Sequence, residues 1–361
     1  TELENATVEL GQLELGSSLV EQQFAINDIF LNGDLVQWQV FANSLSLRLA
    51  LRMSNRDPEI AMNTIQRVYQ SGIYARDRAS SIMMSERRED LAMELLLPRA
   101  LVERRNILWL PEEMLQLLQQ SDMPDDPRLN VLFQPDLNGE YSAIQKEGPY
   151  SQEYTLSVTQ NNLLETYPSI YNRTTIEQNF AMPAPVITST EVHLILAESA
   201  IRWPSLGINA SESYELAIRQ SIDMYYELNR MNVRPYVNKI EASQPVRPAQ
   251  ESIDAFLQAK TTVFARQNNS EKIGLIYDQK FVDMNILKPY ELWSEIRRLY
   301  LDLGSRIIKK PTNIRFIERT IYPTSESVNN QANFREVFDQ NNFTTPVWFT
   351  GRTNRIMDGE N

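Results

Sequence analysis

The chain has 361 residues, 42% of them hydrophobic and 23% charged, a composition that buries a sizeable core and excludes a disordered chain. Its 47 acidic against 35 basic side chains give a net charge of −12, a field that repels a phosphate backbone and argues against a nucleic-acid partner. Cysteine is absent, which excludes disulfides, thiolate nucleophiles and Cys-ligated metals, and a single histidine, His193, excludes His-pair zinc sites and His-based triads.

Helical periodicity dominates from the start. The chain opens on the acidic Thr1-Glu2-Leu3-Glu4, with no basic or apolar leader in view. From Asp34 to Ala50, apolar residues recur at Trp38, Phe41, Leu45 and Leu49, and these steps of three and four predict one helix with that stripe buried. Asp57-Pro58 supplies a capping residue and a first-turn proline for a second helix through Ile60, Ala61, Ile65, Val68 and Tyr69, which Gly72 ends. Two helices joined so closely run antiparallel, the helical-hairpin unit of tetratricopeptide-type arrays, although the consensus of such a repeat is missing.

A further helical pattern runs from Glu86 to Leu118, interrupted by Pro98 and Pro111. From Ser121 to Phe180 the character changes to proline, asparagine, tyrosine and serine with little periodicity, the pattern of a loop-rich layer. Thr188-Ser189-Thr190-Glu191 reads as a capping box opening a helix to Trp203. His193 lies on that helix and is expected to be a helix-face or packed histidine rather than a catalytic or metal-binding one. Helices follow over Glu212–Leu228, Ser252–Phe264, Lys272–Leu287 and Pro289–Leu299, and the tail from Arg315 is irregular and aromatic. No stretch approaches the ~20 apolar residues of a membrane-spanning helix. The expected fold is mostly α, a helical-hairpin scaffold over residues 1–120, a loop-rich insertion over 121–185 and a helical region over 186–361, forming one compact unit.

Catalytic chemistry finds little support. No glycine-rich phosphate loop is present, and no cofactor is implied. The acidic neighbours Glu112-Glu113 and Asp125-Asp126 arise readily among 47 acids, and adjacent loop residues point apart rather than facing one bond. Asp125 and Asp126 offer oxygen ligands of the kind calcium takes, without the spacing of a calcium loop, so no metal site is assigned. The loop layer between Trp109 and Arg173 is different. It concentrates Tyr141, Tyr150, Tyr154 and Tyr171 beside Arg128, Asn138 and Arg173, and flat rings among amides and guanidinium groups suit a sugar or a peptide.

Gly33-Asp34-Leu35-Val36-Gln37-Trp38 leading into Phe41-Ala42-Asn43-Ser44-Leu45-Ser46-Leu47-Arg48 resembles a signature of the SusD/RagB-like nutrient-binding outer-membrane lipoproteins of Bacteroidetes. Asp126-Pro127-Arg128-Leu129, Asn138 to Ile144, Thr190-Glu191-Val192 through Ala200, Tyr322-Pro323-Thr324-Ser325-Glu326 with Asn329 and Asn333, and Val347-Trp348-Phe349 are similar to further family segments, in family order. The resemblance implies a lipid-anchored binding protein at the cell surface that passes an oligosaccharide to a SusC-like TonB-dependent barrel, and that is not an enzyme. The alternatives are a peptide-binding member, an α-helical glycoside hydrolase and a cytoplasmic helical-repeat scaffold. Family members carry a lipidated cysteine and a longer helical region before the first segment, so the resemblance also implies a sequence lacking that N-terminal portion and its anchor. Phe349 stands where a second tryptophan is common.

Overall fold

A computed structural model describes residues 2–13, 17–84, 101, 109–136, 138–143, 168–179, 181–232, 244–307 and 316–353. The architecture is mostly helical. Helices α1 (Glu2–Gln12), α2 (Ser18–Asn27), α3 (Leu35–Met53) and α4 (Pro58–Ser71) come first, then strand β1 (Ile82–Met84). Helix α5 (Glu112–Leu118), helix α6 (Leu129–Leu132), strands β2 (Phe133–Gln134) and β3 (Ile170–Tyr171), and a π-helical turn (Arg173–Glu177) make up the described loop layer. Strand β4 (Ala184–Ile187) leads into α7 (Ser189–Arg202), α8 (Ala210–Met231), α9 (Gln250–Arg266), α10 (Asn269–Met284) and α11 (Pro289–Leu303). Two short helices, α12 (Thr324–Asn329) and α13 (Gln331–Glu336), sit in the tail. Among the described residues, the sheets are two antiparallel ribbons, β1–β4 and β2–β3.

The helix boundaries follow from capping chemistry. Asp34 accepts from the Gln37 amide, Asp57 from Ile60 and Thr188 from Glu191, while Pro58 occupies the first turn of α4 and Gly72 ends it at φ 67°. Helix α10 starts at an Asn268 cap and stops at Met284, three residues earlier than the periodicity predicts, because Asn285 turns the backbone to φ 24°. The capping box of α7 is only half made. Glu191 does not reach back to the cap; its carboxylate is drawn into the core by Arg48 and Lys288.

The buried face of α3 is not the predicted stripe. Val40, Leu47, Ala50 and Leu51 are buried, whereas Trp38, Phe41 and Leu45 are half-buried and Leu49 is 43% exposed. The cause is that α3 packs on α1, α4 and α7, so polar positions are also enclosed. Asn43 donates to the Ile73 carbonyl (2.8 Å), and Ser44 accepts from the Ala75 amide (2.9 Å). Trp38 instead braces the turn before its own helix. Its indole N–H donates to Asp28 (2.7 Å), whose carboxylate also accepts from the amides of Phe30, Leu31 and Gly33. Gly33 is required there: at φ +78° an added Cβ would lie 2.9 Å from the Ala25 backbone.

Helix α7 is buried along its length from Ser189 to Ala200 and lies at the centre. Val192, Ile195 and Leu196 join the core of α3 and α4, while Leu194 and Ala197 join the core shared by α5, α6, β2, β3, α8, α9 and α10. Its acids Glu191 and Glu198, two turns apart, meet the cations of neighbouring helices. Arg298 of α11 makes a bidentate contact with Glu198 (2.6 and 2.8 Å) and also reaches Glu295, and Lys280 of α10 bridges the same two carboxylates (3.1 and 2.5 Å). Of the two placements open to it, His193 takes the packed one. Its Nε2 donates to the Arg76 carbonyl at 2.7 Å, and burial pushes its pKa down.

Truncating Leu47 to Ala, at zero exposure, is predicted to cost about 2–5 kcal/mol, and Leu49 to Ala less than about 0.5 kcal/mol, by urea denaturation. Acid should dismantle the charge cluster. Burial alone would raise the Glu295 carboxyl, but Arg298 and Lys280 outweigh it and hold the pKa at about 2, against an ordinary 4.5. A carboxylate depressed by folding contributes stability that is present above the unfolded pKa and lost as pH falls through the folded one. Urea midpoints are therefore expected to decline steeply between about pH 4.5 and 2, and Glu295→Gln to flatten that decline.

Candidate functional site

The loop layer is built from below. The Asp126 amide donates to the Leu118 carbonyl at the end of α5, placing Asp126 and Arg128 beneath the surface. Arg128 has no exposed area, and its guanidinium is engaged by Asp126 (2.6 and 3.0 Å), Ser221 (3.1 Å) of α8 and Gln279 (2.6 Å) of α10. This residue, expected at the ligand surface, is an internal brace; burying a guanidinium demands such partners. Asp126 is consumed by the same contact, so its carboxylate is committed to Arg128 rather than to a cation shared with Asp125. Glu112 and Glu113 occupy the first turn of α5, where acids complement the helix dipole.

Two more predicted residues face inward. Trp109 is 7% exposed and forms a β-bridge with Ile170. Tyr171, 5% exposed, stacks on Phe133 at a centroid separation of 4.6 Å, and burial pushes its phenol pKa up despite a hydrogen bond to the Ile286 backbone. The amphipathic bodies of these rings are used for packing.

Asn138, Tyr141 and Arg173 remain accessible. Asp136 organises the first two: its carboxylate accepts from the Asn138 and Glu140 amides (2.9 and 3.1 Å) and from the Ser142 hydroxyl (2.9 Å), and Gly139 turns at φ +83°. Asn138 is exposed at the tip of that turn. Tyr141 is half-buried, and burial together with the Asp125 charge pushes its phenol up to about 12, so it stays a neutral donor at physiological pH. Arg173, at the other end of the β2–β3 ribbon, is half-buried and pairs with Glu177 (3.0 Å). Tyr150 and Tyr154 lie outside the described residues.

The most exposed rings among the described residues lie elsewhere, where sequence reading assigned no site. Tyr290 on α11 is 77% exposed, and Trp348, Phe338 and Phe343 in the tail are 61%, 60% and 47% exposed. The tail is held on α11 by Trp293, whose indole donates to the Ile317 carbonyl (2.8 Å), and by Arg297, whose guanidinium lies 3.8 Å over the Trp293 ring and donates to the Glu318 carbonyl (2.9 Å). Tyr290 and Trp293, three residues apart after the first-turn Pro289, are the signal that marks this face. Among the described residues, no group of three or more His, Asp or Glu is arranged to hold a metal ion, and no helix is long and apolar enough to cross a membrane.

Comparison with known proteins fits this architecture. The family described as SusD-like 2, "starch-binding associating with outer membrane", matches residues 3–323, and the chain belongs to this SusD-like family. A solved chitin-binding protein is 19% identical, with a TM-score of 0.68 over 97% of this chain and 72% of its own. A SusD-like protein from Bacteroides thetaiotaomicron is 18% identical, with a TM-score of 0.66 over 96% of this chain and 71% of its own. A chitin-binding SusD homologue from Flavobacterium johnsoniae is 18% identical, with a TM-score of 0.63 over 97% of this chain and 70% of its own. No curated sequence matches the chain.

The burial pattern separates brace from surface. Replacing Arg128 with Ala leaves Asp126 buried without its partner and is predicted to cost about 3–5 kcal/mol, whereas Asn138→Ala should stay within about 0.5 kcal/mol. Chemical denaturation of the two variants checks this, and equal destabilisation would contradict the assignment.

Proposed function

We propose that this protein binds glycans at the cell surface, capturing an oligosaccharide and passing it to a SusC-like TonB-dependent barrel in the outer membrane, without catalysing a reaction on it. Attachment is by a lipid anchor rather than a spanning helix. The family description and the two chitin-binding relatives support the ligand class. The observation that carries the reading is how the side chains are spent. Several charges of the family-like segments are paired inside the scaffold, as with Arg48–Glu191 and Arg128–Asp126. Among the candidate residues of the loop layer, those left accessible are a ring (Tyr141), an amide (Asn138) and a guanidinium that pairs with Glu177 (Arg173), a set that stacks on sugar faces and bonds hydroxyls. Within that set the ligand surface is assigned to the loop layer, at Asn138, Tyr141 and Arg173, with Tyr150 and Tyr154 in the same stretch. Trp109, Arg128 and Tyr171 support it from beneath.

Calorimetric titration with oligosaccharides of glucose and of N-acetylglucosamine is expected to show binding without release of reducing ends. Tyr141→Ala should weaken that binding by about 2 kcal/mol, the loss typical of a ring at the centre of a contact. Reducing-end release would favour a glycoside hydrolase. Binding that is unchanged in Tyr141→Ala but lost in Trp348→Ala would move the site to the C-terminal rings.

A further inference from the structure

A recess opens on the flank of α8 away from the loop layer. Met224, Leu228 and Met231 line it at steps of four and three along one helix face, and Met83 of β1 and Pro183 complete the apolar wall. Tyr226, on the other side of the same helix, reaches the Pro127 carbonyl of the loop layer (2.8 Å).

One end of the recess is polar. It is formed by Ser189 and Thr190 in the first turn of α7, with the Arg78–Glu227 ion pair beside them. Ser189 is satisfied by Ser81 and Gln220. Thr190 is not: it is 2% exposed, and its Oγ1 has no hydrogen-bond partner among the described residues. A hydroxyl closed off from water without a partner carries a desolvation cost that a bound acceptor removes. Flexible thioethers supply an adaptable apolar wall. A group entering here meets a methionine-lined wall, an orphaned hydroxyl at the positive end of a helix dipole, and a neighbouring carboxylate neutralised by a guanidinium.

Taken together, the polar groups favour neither sign of charge. A carboxylate would face Glu227, and a free ammonium would face Arg78 and the start of α7. A neutral dipolar group with a small apolar end satisfies all three. Resting on the glycan-binding reading above, we propose that this recess binds the acetamido group of an N-acetylated amino sugar. The methyl packs against the methionines, the carbonyl oxygen accepts from Thr190 Oγ1, and the amide N–H donates to the Glu227 carboxylate.

The test is calorimetric titration of the parent chain and Thr190→Val with oligosaccharides of N-acetylglucosamine, glucosamine and glucose. The parent should bind the acetylated series most tightly. Thr190→Val should weaken that series alone, by about fivefold to tenfold, with an unchanged or raised melting temperature, because a methyl replaces an unpartnered hydroxyl. Met231→Trp, which fills part of the recess, should erase the same preference and covers the case in which Thr190→Val does not fold. Equal affinity of the parent for the acetylated and non-acetylated sugars overturns the recess assignment while leaving glycan binding intact. So does an equal loss for all three sugars in Thr190→Val. Failure of the parent to bind any of the three overturns both.

Discussion

The structure depends on Glu198 being neutralised at zero exposure. Its carboxylate is held by Arg298, Lys280 and Arg202, and Glu295 shares the first two, so groups from α7, α10 and α11 meet in one buried cluster. Buried charges are tolerated only when every one is paired, and a missing partner leaves a charge that low-dielectric surroundings cannot screen. The cluster therefore fixes how these helices sit against one another. An apolar interface tolerates small slides; a bidentate guanidinium does not. Glu191, two turns earlier on α7, extends the arrangement to α3 through Arg48 and to the start of α11 through Lys288.

A scaffold held this way has consequences for binding. Its central helix faces are committed to one another, and the family segments at 126–129 and 190–200 lie inside it. On the proposed reading, the surfaces offered to a ligand are the loop layer, the recess beside α7 and the rings of the tail, which differ in exposure and in the polar groups around them.

Much of the helical frame was legible because capping is local chemistry. Asp57-Pro58 with Gly72, and Thr188 at the start of α7, mark their helices within a few residues of sequence. The face of α3 was not. Apolar spacing shows that a stripe exists, but α3 is covered on several sides, and Asn43 and Ser44 are enclosed by backbone partners that no periodicity records. Arg128 and Tyr171 misled for a related reason. Arginine and tyrosine serve a surface or a core equally well, and the groups that decide between them, Ser221, Gln279 and the Ile286 backbone, are far away in the chain.

The central claim is that the Glu198 cluster couples α7, α10 and α11 into one unit. Native-state hydrogen exchange on Glu198→Gln tests it most directly. The account predicts that amide protection falls together, and by a similar factor, across residues 189–202, 269–284 and 289–303. Loss confined to the turn around residue 198, with α10 and α11 protected as in the parent, would contradict it.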